Sequence, residues 1–195
     1  MSLPGAPEPC VLVVGVLRGP AVGEPAVLEA LTSAFGPIGR GRAEEPFVQS
    51  RYYQREMGTG LLRGYLELEG LRDPGELASI KLRCNALEAG LAGVGGRAVN
   101  LDPGLLNRTQ VVLASGKPAA HRVYLGQGIY AEVELVFEAG VFRPLPWTYP
   151  DYREPRAVAF FNDVREGHKR RLRSSGLHTP ASVPNGQRPT DNGRA

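Results

Sequence analysis

The amino-acid sequence predicts an α+β protein, with a ferredoxin-like split βαβ core that is extended by an antiparallel β-meander and a C-terminal helix. Three observations lead to this prediction. The first hundred residues show strand and helix patterns in the order β-α-β-β-α-β, which is the split βαβ arrangement. Residues 129–138 alternate apolar and polar side chains between two turns that contain glycine. Residues 157–172 repeat apolar side chains at helical spacing.

The split core begins with Val11–Leu17, a short and continuously apolar segment that predicts a strand buried on both faces. A first helix follows, whose apolar residues recur at helical spacing: Val27, Leu28, Leu31, Ala34 and Phe35. Gly36-Pro37 ends this helix, because glycine and proline are typical of a helix C-terminus. Phe47–Tyr53 is predicted as the second strand, and Leu62–Glu69, where apolar and polar residues alternate, as the third.

The second helix of the core is predicted to start at Asp73, because an aspartate caps free backbone amides and Pro74 suits a first turn. Its apolar stripe consists of Leu77, Ile80, Cys84, Leu87 and Leu91, so we interpret Cys84 as a small core residue. Ala98–Leu101 is predicted as a strand that ends in the turn Asp102-Pro103-Gly104. Leu105–Ser115 fits either a helix of three turns, which we favour, or a strand.

The clearest period of the chain predicts a three-stranded meander over 121–125, 129–138 and 141–144. In its middle strand, the side chains predicted to face the core are Ile129, Ala131, Val133, Leu135 and Phe137. Those predicted to face water are Tyr130, Glu132 and Glu134. Gly126-Gln127-Gly128 and Ala139-Gly140 have the composition of hairpin turns.

Length and composition indicate one domain of a soluble protein. We expect a flexible lead-in at 1–9, a single α+β domain at 10–173 and a disordered tail at 174–195, since neither end carries a periodic apolar face. An apolar run of about 18 residues, as a membrane span requires, does not occur. The two cysteines, Cys10 and Cys84, form neither a zinc motif nor a disulfide framework, which indicates a cytoplasmic protein.

The net charge of +3 is unevenly distributed along the chain. Residues 165–195 hold seven basic and two acidic residues, a balance of +5, which leaves 16 basic and 18 acidic residues, or −2, for the rest. A nucleic-acid-binding domain carries its basic residues on the folded body, so this distribution argues against nucleic acid as a partner. RNA contact through Lys169–Arg173 is kept as a minor alternative, and the oligomeric state is left open.

Several segments are similar to a bacterial family of unknown function, domain-of-unknown-function family 4416. The segments that carry the resemblance are VNLDPGLL, HRVYLGQGIYAEV and PWTYPDYREP, preceded in the same order by FGPI, YYQREMG and LASIKLRCNALE. The resemblance runs from Val11 to Leu172 and implies no established activity. Where the family has an acid–Thr pair before its two tyrosines, this chain has Gln49-Ser50-Arg51.

Three segments contain the candidate site residues, and two of them flank the meander. At the first, Asn100 and Asp102 end a predicted strand, and Asp102 is either a base or metal ligand, or a turn cap. At the second, Lys117, His121 and Arg122 form a small basic cluster. Because His121 and Arg122 are neighbours in a strand, they are expected to point to opposite faces, so that only one serves a site.

An aromatic segment follows the meander and completes the candidate site. Trp147 and Tyr149 either stack on a flat ligand or cover the core, and Arg153 either binds an anion or pairs with Asp151. Tyr130 and Glu132 are added because they lie beside the basic cluster. No phosphate-binding loop of the form GxxxxGK[ST] occurs, which excludes that class of nucleotide hydrolase. His168 is interpreted as a side chain at the edge of the core.

The sequence therefore favours a binding domain for a small anionic or nucleotide-like ligand. The residues assigned to binding are Asn100, Lys117, Arg122, Tyr130, Glu132, Trp147, Tyr149 and Arg153. An alternative is a hydrolase or transferase in which Asp102 and His121 act as an acid/base pair, with Glu132 and a hard divalent metal. Three histidines are too few to predict a histidine-based zinc site, and no cofactor is identified.

Overall fold

The computed structural model of the chain describes residues 3–93 and 96–176. The strands are β1 (Cys10–Arg18), β2 (Ile38–Pro46), β3 (Leu62–Arg72), β4 (Val99–Leu106), β5 (Gln110–Ser115), β6 (Val123–Gly126), β7 (Ile129–Glu138) and β8 (Val141–Pro144). The α-helices are α1 (Glu24–Phe35), α2 (Gln54–Met57), α3 (Leu77–Gly90) and α4 (Pro155–Ser174). Short 3₁₀ turns occupy Pro74–Glu76 and Pro150–Arg153. Most of the predicted tail lies outside the described residues.

All eight strands belong to one antiparallel sheet, with the order β2-β3-β1-β4-β5-β7-β6 and with β8 also paired to β7. The predicted combination of helices, an antiparallel sheet and a C-terminal helix is confirmed. Within the described ranges, no helix is both long and apolar enough to cross a membrane.

Helices cover both faces of the sheet, and β1 is the strand that joins the two cores. Its residues Leu12, Val14 and Val16 pack in one core with side chains of α1 and α3. Val11 and Val13 pack in a second core with side chains of α4. The prediction that this segment is buried on both faces is confirmed.

The predicted helical stripes are the buried faces of the helices. In α1 the buried residues are Val27, Leu31 and Phe35, in α3 they include Leu77, Ile80 and Cys84, and in α4 they include Ala157, Phe161, Val164, His168 and Leu172. The Asp73 carboxylate accepts a hydrogen bond from the Gly75 amide at 2.7 Å, which is the predicted cap. Glu8, within the predicted lead-in, contacts Arg108 at 2.6 Å and buried His168 at 3.2 Å.

The three strands predicted over 121–144 are present as β6, β7 and β8, but they do not form a meander with β7 in the middle. Its two turns have positive φ at Gln127 (54°) and Gly128 (77°), and at Ala139 (49°) and Gly140 (87°), the left-handed conformation that two-residue hairpins require. β6 pairs with 129–131 of β7 and β8 with 135–138, while β5 pairs with 130–136. β6 and β8 therefore share one edge of β7, and β5 occupies the other.

The second strand was predicted in the wrong place. It spans Ile38–Pro46, whereas Phe47–Tyr53 forms no strand. β2 pairs only with β3, at the edge of the sheet, and its polar sequence IGRGRAEEP lacks an apolar face. Phe47 is buried although it lies outside the strand, because it packs with Leu17 and Met57 in a small separate cluster.

The region from Asn100 to Ser115 also differs from the prediction. Asp102-Pro103-Gly104 is not a turn, since β4 continues through it and pairs these residues with β1. Leu105–Ser115 is not a helix but the end of β4, a tight turn and β5. The turn forms because the Asn107 side-chain carbonyl accepts hydrogen bonds from the Thr109 and Gln110 amides, at 2.8 and 2.9 Å.

Gly15, in the middle of β1, leaves room for the Tyr152 hydroxyl, which would lie 2.4 Å from a Cβ atom at that position. We expect Gly15→Ala to lower the free energy of unfolding by about 1–3 kcal/mol, as overpacking does. The Tyr152 hydroxyl has no hydrogen-bond partner among the described residues, so Tyr152→Phe should change stability little. Urea unfolding of both variants and of the double variant tests the contact. If Gly15→Ala lowers stability as much in the Tyr152→Phe protein as in the wild type, the Tyr152 hydroxyl is not the group that the new methyl meets.

Candidate functional site

Two adjoining cavities form a cleft between β4, β5, β7 and the segments that follow β2 and β8. The inner cavity measures about 250 Å³ and the outer about 460 Å³. Both are lined by Tyr53, Asp102, Lys117 and Tyr149, so these four residues mark the junction. The inner cavity is also lined by Lys81, Asn85, Arg97, Asn100, Ser115 and Glu132, and the outer one by Phe47, Tyr52, Arg63, Pro150 and Asp151.

Arg63 joins two carboxylates at the cleft. Its Nε donates to Asp151 at 2.6 Å and its Nη1 to Asp102 at 2.9 Å, and its side chain is 10% exposed. Arg63 also lines the outer cavity. Burial alone would raise the pKa of Asp102, but the Arg63 guanidinium and the Lys81 ammonium outweigh it and hold that pKa below its ordinary value. Asp102 is therefore ionised at neutral pH.

A second network is centred on Glu132. One carboxylate oxygen contacts His121 Nε2 and the other accepts from Arg122 Nη2, both at 2.9 Å. Arg122 also donates to the hydroxyls of Tyr149 and Ser115, at 2.7 and 2.8 Å. Two predictions are wrong here. His121 and Arg122 serve one group because they precede β6 instead of lying within it, and Glu132, 2% exposed, does not face water.

Glu134, two residues further along β7, is also buried, against the prediction that it faces water. Its Oε1 accepts a hydrogen bond from the Tyr149 amide, and its Oε2 has no partner among the described residues. Burial raises the pKa of Glu134 to about 8, and the neighbouring Glu132 carboxylate adds to the effect. Tyr149 is thus held at its amide by Glu134 and at its hydroxyl by Arg122.

Lys117 is the cation at the junction of the cavities. Its ammonium donates to the Tyr52 hydroxyl at 2.8 Å and lies 4.5 Å from the centre of that ring. No carboxylate of the described residues is within ion-pairing distance of it. Lys117 is therefore available to a ligand anion.

Asn100 lies at the wall of the inner cavity and is 4% exposed. Its side-chain oxygen accepts from Arg97, whose guanidinium also donates to Glu88 at 2.8 Å. Glu88 in turn accepts from the Leu101 amide at 2.8 Å. Lys81 donates to the Leu101 carbonyl at 2.7 Å, so two side chains of α3 hold the backbone of β4 at Leu101.

Five predicted site residues line neither cavity. Tyr130 packs on Tyr124 in the β6–β7 hairpin, with the ring centres 5.1 Å apart. Trp147 stacks on His121, at 5.3 Å, and its indole donates to the Val133 carbonyl. Arg153 donates to the carbonyls of Leu145, Pro146 and Thr148, which closes its own loop. The other two are His121 and Arg122, which belong to the Glu132 network and are not among the described residues that line the cavities.

The sequence prediction missed the cleft residues Tyr52, Tyr53, Lys81, Arg97 and Arg63. The signal for Arg63 was present, because it lies on the polar face of the confirmed strand β3 with Tyr65 and Glu67. Tyr53 was predicted within a strand, and Lys81 and Arg97 carry no motif that separates them from surface residues.

The residues named for the alternative functions have partners of their own. Asp102 is paired with Arg63 and His121 with Glu132, so the two are engaged in different networks. Among residues 3–93 and 96–176, no group of three or more His, Cys, Asp or Glu side chains could hold a metal ion. At the basic end of α4, Lys169 pairs with Glu166, and Arg171 contacts buried Glu67.

The fold and the cleft together define a protein of mixed α and β structure with an antiparallel eight-stranded sheet and a charged, tyrosine-lined cleft. By sequence, the chain belongs to the family described as Domain of unknown function (DUF4416), which matches residues 8–168. The predicted family membership is confirmed. Neither a curated protein nor a solved structure matches the chain.

Proposed function

We propose that this protein binds a small anionic, nucleotide-like ligand in the cleft. The observation that carries the proposal is Lys117, a cation without an acidic partner among the described residues, at the point where the two cavities meet. Most other cations of the cleft are already engaged by carboxylates, so a ligand anion finds its strongest uncompensated charge here.

Aromatic rings beside Lys117 support the nucleotide-like part of the proposal. Tyr53 and Tyr149 line both cavities, and Tyr52 borders the outer one. Tyrosine faces stack on planar rings. Tyr149 is held in place by its contacts with Arg122 and Glu134.

We also propose that the first four strands form the ferredoxin-like split βαβ core. The order β2-β3-β1-β4, with α1 and α3 packed in one core, supports it. A cytoplasmic location is part of the proposal as well. It is supported by Cys10 and Cys84, which are both unpaired and buried.

A thermal-shift screen of nucleotides and sugar phosphates tests the proposed function. A ligand at one hundred times its Kd is expected to add about 2.7 kcal/mol to the free energy of unfolding. Lys117→Met should weaken binding of every anion that binds, because it removes the unpaired cation. Lys169→Met is the matched control: it makes the same change of charge on α4, outside the cleft, and should leave binding unchanged.

Two outcomes would contradict the proposal. One is that no nucleotide or sugar phosphate shifts the melting temperature. The other is that Lys117→Met and Lys169→Met bind the same anion equally well, which would place the anion outside the cleft.

A further inference from the structure

The hydroxyl of Ser115 is a hydrogen-bond donor in the wall of the inner cavity. A serine oxygen has two acceptor positions, and its hydroxyl has one hydrogen to donate. Here both acceptor positions are occupied, by the Lys117 amide at 3.2 Å and by Arg122 Nη1 at 2.8 Å. The hydrogen itself has no acceptor among the described residues, and Ser115 lines the inner cavity. This hydrogen is therefore free for a molecule that binds there.

The contact with Arg122 makes the Ser115 hydroxyl a stronger donor. Successive hydrogen bonds polarise one another, so a guanidinium that donates to the oxygen strengthens the bond that the hydroxyl donates. An anion profits most, because hydrogen bonds to ionised groups are roughly twice as strong as those between neutral groups. Gly116 and Lys117 continue the same wall, and a Cβ atom at Gly116 would meet nothing within 4 Å. The cavity wall thus offers a hydroxyl donor and an ammonium on either side of a glycine.

The two cavities differ in charge and in aromatic content. Three basic and two acidic side chains line the inner cavity, whereas two of each line the outer one. Four aromatic side chains, Phe47, Tyr52, Tyr53 and Tyr149, line the outer cavity, and only the last two of them reach the inner one. Charge therefore favours the inner cavity for the anionic end of a ligand, and the rings favour the outer cavity for its planar end.

We infer that the ligand is a phosphate ester whose phosphate binds in the inner cavity, against Ser115 and Lys117, and whose ring binds in the outer cavity. The inference rests on the proposed function, to which it adds the orientation of the ligand and Ser115 as a binding residue. A phosphate has enough oxygens to accept from the hydroxyl and from the ammonium at once. Tyr53 and Tyr149, which line both cavities, lie beside the part of the ligand that joins its two ends.

Isothermal titration with adenosine and uridine 5′-monophosphates and with ribose 5-phosphate tests the phosphate site. All three carry the same phosphate, and ribose 5-phosphate lacks the base. Ser115→Ala removes the donor and should weaken all three alike, by about tenfold, which is roughly 1.4 kcal/mol. Ser50→Ala is the matched control: it makes the same change in the wall of the outer cavity and should leave the three affinities unchanged. Thermal melting without ligand shows whether each variant is folded.

Tyr52→Ala tests the position of the ring. Tyr52 lines only the outer cavity and is 60% exposed, so its removal should leave the fold intact. The two nucleotides should bind about fivefold more weakly or worse, because a base loses a stacking partner. Ribose 5-phosphate should bind no more weakly, since Lys117 keeps its charge and is released from the Tyr52 hydroxyl.

The outcomes separate this inference from the proposed function. If Ser115→Ala leaves the affinities unchanged while Lys117→Met lowers them, the inference is overturned and the anion site at Lys117 stands. The inference is overturned in the same way if Ser50→Ala weakens binding instead, or if Tyr52→Ala weakens ribose 5-phosphate as much as the nucleotides. If neither nucleotide nor ribose 5-phosphate binds to the wild-type protein, both are wrong.

Discussion

Arg63→Met is expected to lower the free energy of unfolding by about 3–5 kcal/mol, the range found when one partner of a buried ion pair is removed. The guanidinium is 10% exposed and neutralises two carboxylates, Asp102 and Asp151. Methionine fills much of the volume but leaves both carboxylates without their cation. Urea unfolding at neutral pH measures the loss.

A matched variant and a change of pH show whether charge is the cause. Arg42→Met removes a cation from the neighbouring strand that is 32% exposed, against 10% for Arg63, and it should cost no more than about 1 kcal/mol. In Arg63→Met, mild acid should recover stability as the unpaired carboxylates take up protons. In the wild type the lowered pKa of Asp102 leaves its contribution unchanged in mild acid, and that contribution falls only as pH decreases below 3.8, the ordinary pKa of this carboxyl. Glu134 titrates in both proteins and cancels in their difference. Equal losses of stability in Arg63→Met and Arg42→Met would contradict the assignment of Arg63 as the cation that neutralises Asp102 and Asp151.

Glu134→Gln is expected to remove a loss of stability that the wild-type protein shows as pH rises. The pKa of Glu134 is raised from 4.5 to about 8 in the folded state, so the folded protein binds more protons than the unfolded chain between these values. Stability therefore falls with pH across this window, by as much as roughly 1.4 kcal/mol per pH unit. Glutamine keeps an oxygen for the Tyr149 amide and does not ionise.

The measurement is the difference between the two proteins at each pH. At pH 5 they should unfold at similar temperatures, and at pH 8 the variant should be clearly more stable. Buried His168, whose pKa is lowered, gives the opposite slope below its unfolded pKa, but it is present in both proteins and cancels. A difference that stays constant from pH 5 to pH 8 would show that Glu134 is ionised throughout.

The sequence was informative wherever one periodicity determined the structure. The apolar run of β1, the stripes of α1, α3 and α4, and the alternation of β7 predicted their elements because local pattern and burial agree there. β2 was not predicted because it is an edge strand, in which charged side chains replace an apolar face. Asp102-Pro103-Gly104 was misleading because these residues have the composition of a turn, yet they lie inside β4, where pairing with β1 keeps the backbone extended.

The site was harder to predict because its polar residues are covered by loop segments that are distant in the sequence. Glu132 and Glu134 alternate with apolar residues as a water-facing side would, yet partners from distant segments cover them. Arg63 is compensated by Asp151, 88 residues away in the chain. No local rule distinguishes such a face from a solvated one, because its neighbours are set by tertiary structure.

The shared edge of β7 also shows how one end of this sheet is blocked against pairing with another molecule. Open strand edges are templates for aggregation, and proteins shorten or block them. Here β6 and β8, each four residues long, cover two separate parts of this edge, and residues 132–134 of β7 pair with neither. The carbonyls of Val133 and Glu134 accept hydrogen bonds from Trp147 and Thr148. An incoming strand would therefore find no continuous ladder, and the loop that blocks it is the same one that places Tyr149 in the cleft.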